Sequence, residues 1–199
     1  MYKVFVNNTP IILSTDRFIS GEYTSIPIKK ANLITIVKQL LIDPNLKFNL
    51  YHKKESKLFK ILHKKMPVIV AGGGKVYNKN KEVLFIHRNG VWDLPKGKAE
   101  KKESIPQTAL REVEEETGVT RLRLGKFIRK TYHVFKRNGE YRLKLTYWFE
   151  MFTDFEGELI PQEDEGIKKV KWKNFEKSKK ALTDTFGAIK ELFPAEYFD

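Results

Sequence analysis

Gly97-Lys98-Ala99-Glu100-Lys101-Lys102-Glu103 runs through Ser104-Ile105-Pro106-Gln107 to Arg111-Glu112-Val113-Glu114-Glu115-Glu116-Thr117-Gly118-Val119. Its middle carries the punctuation of one short helix. Ser104 followed by Gln107 is a capping-box pattern, and Pro106 is tolerated in a first turn, where its missing N–H costs nothing. Thr117-Gly118 supplies the stop, because glycine readily takes the left-handed conformation that ends a helix. The acidic run Glu112–Glu116 therefore falls on the last turns.

At about 100° per residue, Ile105, Ala109 and Val113 form an apolar stripe within about 40° of Ala109. Glu116 projects about 20° from Ala109, inside that stripe, Glu112 about 60° away and Glu115 about 120°. Solubility alone would place carboxylates on the opposite face, and an unpaired buried charge is costly. Acids at i, i+3 and i+4 also repel one another. A hard divalent cation relieves both costs, since oxygen-only ligands suit magnesium or manganese. Glu114, by contrast, reads as an ordinary solvated acid.

This segment resembles the Nudix box at each defining position: Gly97, five residues, Glu103, seven residues, Arg111-Glu112-Val113, any residue, Glu115-Glu116, any residue, Gly118-Val119. The resemblance implies a hydrolase that cuts a diphosphate bond. Gly97, through its carbonyl, with Glu112, Glu115 and Glu116, would hold magnesium, with manganese as a substitute. Glu112 or Glu115 would activate water, and Arg111 would hold an acid in place, with Glu103 as candidate. Relatives often add an acid outside the box before a strand carrying tryptophan. Glu163-Asp164-Glu165 precedes Val170-Lys171-Trp172 here, so Glu163 is the candidate extra ligand and Glu165 the candidate extra base.

Residues around the box extend the expected site. Lys96 and Lys98 flank the loop glycine and are placed to hold phosphate as point charges. Arg88 ends a predicted strand facing that loop, and Tyr132 and Lys144 are further candidate substrate contacts. Trp92-Asp93-Leu94-Pro95-Lys96-Gly97 resembles the approach to the box in diadenosine-polyphosphate hydrolases. Gly72-Gly73-Gly74-Lys75 is not a phosphate-binding Walker loop, lacking its spacing and its Ser/Thr. Between Gly118 and Pro161 there is no proline, which argues against the ADP-ribose and NADH subfamilies. Dinucleoside polyphosphates or nucleoside triphosphates are the preferred substrates. An RNA 5′-end pyrophosphohydrolase, an RNA-binding Nudix protein and a non-catalytic ligand sensor are the alternatives.

Farther out, apolar–polar alternation predicts strands at 67–76, 83–87, 127–135, 141–152 and 169–172, and a final helix at 178–193. The resemblance and the pattern together imply an α+β or mixed α/β architecture, a Nudix-type α/β/α sandwich over 66–199. Residues 1–65 read as a small N-terminal α/β unit of unassigned role. It has a hairpin turn at Asn7-Asn8-Thr9-Pro10, helices at 32–42 and 55–62, and many lysines.

The chain has 199 residues, a formal net charge of +13 and no cysteine, which excludes disulfides and thiolate metal sites. The positive surplus concentrates anions, small polyphosphates and RNA alike. No segment has the length or layout of a membrane span or signal peptide, so the expected location is the cytoplasm, without membrane partners. A homodimer is a further candidate assembly.

Overall fold

The computed structural model describes residues 1–198. In chain order its elements are β1 (Tyr2–Val6), β2 (Thr9–Ser14), β3 (Thr24–Pro27), α1 (Leu33–Ile42), β4 (Phe48–Tyr51), α2 (Glu55–Lys65), β5 (Val68–Tyr77), β6 (Val83–Arg88), β7 (Val91–Asp93), β8 (Lys96–Lys98), α3 (Ile105–Thr117), β9 (Arg123–Arg137), β10 (Glu140–Phe152), β11 (Ile167–Lys173), α4 (Phe175–Thr183) and α5 (Gly187–Lys190). They form two compact units, one of residues 1–69 with 131–145, the other of residues 70–130 with 146–199.

In the first unit the strand order is β9-β1-β2-β4-β3. Asn7, at a φ of 51°, turns β1 into β2 so tightly that Val6 pairs with Thr9. The turn is thus Asn7-Asn8 alone, and Thr9 and Pro10 already belong to β2. Leu33, Ile36, Val37 and Leu40 of α1 and Leu58 and Leu62 of α2 are buried together with Val4, Ile11, Leu13 and Leu50 of the strands. Asn32 caps α1, accepting the Thr35 N–H at 3.1 Å. A boundary at residue 65 does not anticipate that residues 131–145 join this unit. They do so because β1 runs parallel to β9, with Val4 opposite Tyr132 and Val6 opposite Val134. The hairpin itself turns on Asn138-Gly139, whose φ values of 50° and 80° suit a two-residue connection.

In the second unit the order is β11-β6-β5-β10-β9, with β7 on β6 and β8 on β5. One face carries α3, whose Ala109 and Val113 are buried with Val76, Leu84, Ile86 and Met151. The other buries Val83, Phe85, Leu94 and Trp148 beneath α4 and the C-terminal residues Ile189, Leu192 and Phe193. Gly72 explains how closely α3 approaches: a Cβ there would lie 2.8 Å from the Ala109 nitrogen and from the Ile105 oxygen. The glycine run is therefore part of a strand beneath a helix. The expected helix over 178–193 is instead two helices, because residues 184–185 bond elsewhere. The Trp92 N–H donates to the Asp184 carbonyl at 2.9 Å, and the Thr185 hydroxyl donates to the Trp92 carbonyl. Among the described residues no helix is long and apolar enough to cross a membrane.

Candidate active site

Both predicted caps of α3 are present. Ser104 accepts from the Gln107 N–H, Gln107 accepts from the Ser104 N–H at 2.9 Å, and Gly118 closes the helix at a φ of 73°. The register of the acids on α3 is thereby fixed against the sheet through buried Ala109 and Val113.

Gly97 lies in β8, opposite Gly72 of β5. A Cβ on residue 97 would fall 1.6 Å from Glu112 Oε2, so the absence of a side chain there makes the nest that Glu112 occupies. Burial raises the pKa of Glu112, and the Arg111 guanidinium opposes that rise. Glu116 is 1 % exposed. One of its oxygens accepts the Lys96 N–H at 2.8 Å, and the other lies 3.3 Å from Arg88 Nη1. Burial pushes its pKa up to about 7, although Lys96 and Arg88 favour the charged form.

Arg111 is the hub. It forks onto Glu103 at 2.8 and 3.0 Å and reaches Glu112 at 2.9 Å, Glu115 at 2.7 Å and the Lys98 carbonyl at 3.2 Å. Glu103 also accepts from the Thr108 hydroxyl at 2.8 Å, and with Arg111 as the main cause its pKa falls to about 2. The arginine thus holds Glu103, as the box implies, and spans two further acids.

Arg88 bridges Glu116 to Glu165, 3.2 Å away, on the short turn Glu163–Glu165. That places Glu165 beside the box, while Glu163 stands exposed on the same turn. Lys96 departs from its expected role. Its ammonium is largely buried and sits 2.6 Å from Asp93 Oδ2, while its backbone N–H bonds Glu116 and its charge favours that acid's ionised form. Lys98 is exposed. Two further expected contacts fall in the first unit. Tyr132 is buried in the first unit, its ring stacked 4.5 Å from that of Phe59. Lys144 also belongs to the first unit, its ammonium 5.3 Å from the Phe135 ring centroid. Asp93, which the sequence pattern did not single out, is the buried partner of Lys96 and also accepts the Leu94 N–H at 2.8 Å. An acid three residues before a lysine across Leu94-Pro95 was the available signal.

A Nudix domain model matches residues 66–193. The chain belongs to the Nudix family. Among solved structures of similar fold, a MutT protein from Methanosarcina mazei Go1 superposes with a TM-score of 0.51 at 23 % identity, covering 67 % of this chain and 92 % of the other. A C. elegans Ap4A hydrolase gives a TM-score of 0.50 at 20 % identity, covering 65 % of this chain and 94 % of the other. Nudix hydrolases generally use divalent metal ions. Among the described residues no three acids converge closely enough to enclose a metal as they stand. Arg111 is the cation between Glu112 and Glu115 in this arrangement. The donors nonetheless fit a hard divalent ion. All are oxygens, and the space beside Glu112 exists only because residue 97 has no Cβ.

Proposed function

We propose that this Nudix enzyme hydrolyses, with magnesium, a diphosphate bond in a nucleoside diphosphate linked to another moiety, with dinucleoside polyphosphates or nucleoside triphosphates as substrates. The observation that carries this reading is the nest at Gly97, which seats Glu112 beside a buried, fully bonded Glu116. Glu112, Glu115, Glu116, the Gly97 carbonyl and Glu163 are the residues that would hold the metal. When bound, magnesium neutralises diphosphate charge and makes water a better nucleophile.

The chain's own residues do the rest. Glu112 and Glu115 are the candidates to take the proton of the attacking water, and Arg111 bonds both, fixing their orientation. Arg88 is 26 % exposed and flanked by two acids, which leaves its guanidinium open on one side to an incoming phosphate. Lys98 adds an exposed cation next to the loop glycine. One of the similar folds is named an Ap4A hydrolase, and a substrate of that kind is the one proposed here.

The reading is tested by incubating the purified chain and magnesium with dinucleoside polyphosphates, nucleoside triphosphates, ADP-ribose, sugar nucleotides, diphosphoinositols and triphosphorylated RNA. Products are resolved by chromatography. Turnover confined to the first two classes supports the proposal, and turnover confined to any other class sinks the substrate assignment.

A further inference from the structure

The second unit carries a cationic surface that the hydrolytic site does not use. β11 is the edge strand of its sheet, and its register with β6 sorts its side chains. Val170 opposite Ile86 and Trp172 opposite Leu84 go into the core beneath α3. Lys169 opposite His87, Lys171 opposite Phe85 and Lys173 opposite Val83 share the other face. A register shift between Ile167 and Lys169 sets this alternation, so Ile167 stays in the core and the lysines after it fall in line. Alternate residues on a strand are about 6.6 Å apart, so the three lysine side chains leave the strand in a row.

Helix α4 adds a second tier. Burial lowers the pKa of Lys173, and Lys177, Lys171 and Lys180 are close enough to disfavour its charged form further. The Lys173 ammonium lies 3.6 Å over the Trp92 ring. Among the described residues, none of Lys169, Lys171, Lys173, Lys177 and Lys180 is within 4.0 Å of a carboxylate. Lysine on an edge strand discourages strand pairing with other chains. That role asks for a charge or two on the edge. It does not account for the second row on α4 or for the missing counter-charges.

We propose that the lysine row of β11, with Lys177 and Lys180 of α4, is a binding surface for the phosphate backbone of single-stranded RNA. A point-like anion needs cations converging on one spot, whereas a row with a flanking tier follows a linear polyanion. The β11 tier is one line of charge along one strand edge, which matches one backbone rather than the two of a duplex. Ammonium contacts to phosphate carry no sequence information, so binding is independent of sequence and steeply salt-dependent.

The test is fluorescence anisotropy on the full chain with a fluorescein-labelled oligouridylate of about 15 nucleotides bearing a 5′-hydroxyl. Salt is varied from about 50 to 200 mM. The triple variant Lys169→Gln/Lys171→Gln/Lys177→Gln alters exposed positions only, and its fold is checked by melting temperature and by unchanged small-substrate hydrolysis. It is compared with Lys53→Gln/Lys57→Gln/Lys60→Gln in the first unit, which removes the same charge. The expected result is at least about tenfold weaker binding at low salt for the first triple. Its log–log salt slope should fall by about 2, near 0.7 for each phosphate no longer neutralised, with the second triple within about twofold of wild type. Equal weakening in the two triples, weakening only in the second, tighter binding of the matching duplex, or no binding by wild type at about 50 mM salt would each overturn the proposal.

Discussion

The carboxylate of Glu112 lies where the Cβ of any other residue at position 97 would be, 1.6 Å from Oε2 and 1.9 Å from Cδ. A loop residue and a helix residue fifteen positions apart thus share one small volume, and the glycine is what lets the helix acid reach the loop. Gly97→Ala must displace Glu112. Because residue 97 sits in a short edge pairing, the fold should survive with a loss of about 1 kcal/mol or less. Turnover should fall about a hundredfold, in line with small misplacements at a reacting centre. Steady-state kinetics and a urea melt check both halves of this expectation.

Arg111 should not tolerate lysine. Its planar fork meets Glu103 through two nitrogens while a third reaches Glu112 and Glu115. A lysine ammonium is a single point and cannot span these acids. Arg111→Lys should lose about 1–3 kcal/mol of stability by urea denaturation, together with most of the activity. Wild-type stability in that variant would show that the hub does not hold the loop.

Asp93 and Lys96 should behave as one unit. Removing either partner of a buried ion pair leaves an uncompensated charge, at a cost of about 3 kcal/mol. Asp93→Asn and Lys96→Met should each destabilise by that order, and the double variant by clearly less than the sum. Strict additivity in the cycle would break the pair apart.

Lys75 gives a pH signature. Its ammonium is 5 % exposed, donates to the Leu192 carbonyl at 3.0 Å and lies 3.9 Å from the Phe193 ring centroid. Burial lowers its pKa from 10.5 to about 8. Below the lower value both folded and unfolded chains carry the proton, and burying the charge costs stability. Between the two values the folded chain has lost the proton and the unfolded chain keeps it, so stability rises with pH. The rise should total about 3 kcal/mol at most and stop above the higher value. Lys75→Met should flatten that part of the curve relative to wild type, and identical slopes would refute the assignment.

The site was legible where sequence spacing is converted directly into geometry. Ser104, Gln107 and Gly118 delimit α3, and helical periodicity turns Glu116 inward, so its burial follows from the angle alone. Arg88 and Glu165 were readable as strand end and neighbouring turn. The misreadings came from tertiary partners that no local pattern encodes. Tyr132 reads as a candidate substrate contact on a strand, but its ring stacks on Phe59 of α2. Lys96 looks like a phosphate ligand until Asp93 takes its ammonium. The C-terminal apolar pattern runs through residues 184–185, whose backbone pairs with Trp92 instead of continuing a helix. Residues 131–145 join the first unit through a parallel pairing with β1, a contact far apart in sequence.

The most direct test of the central claim is hydrolysis of a dinucleoside polyphosphate with magnesium in ¹⁸O-labelled water, run for wild type, Glu112→Gln and Glu116→Gln. The account predicts cleavage by wild type, the label in one phosphate product, and rates at least about a hundredfold lower in both variants. Full activity in either variant, or wild-type protein that binds magnesium and leaves the substrate intact, would contradict it.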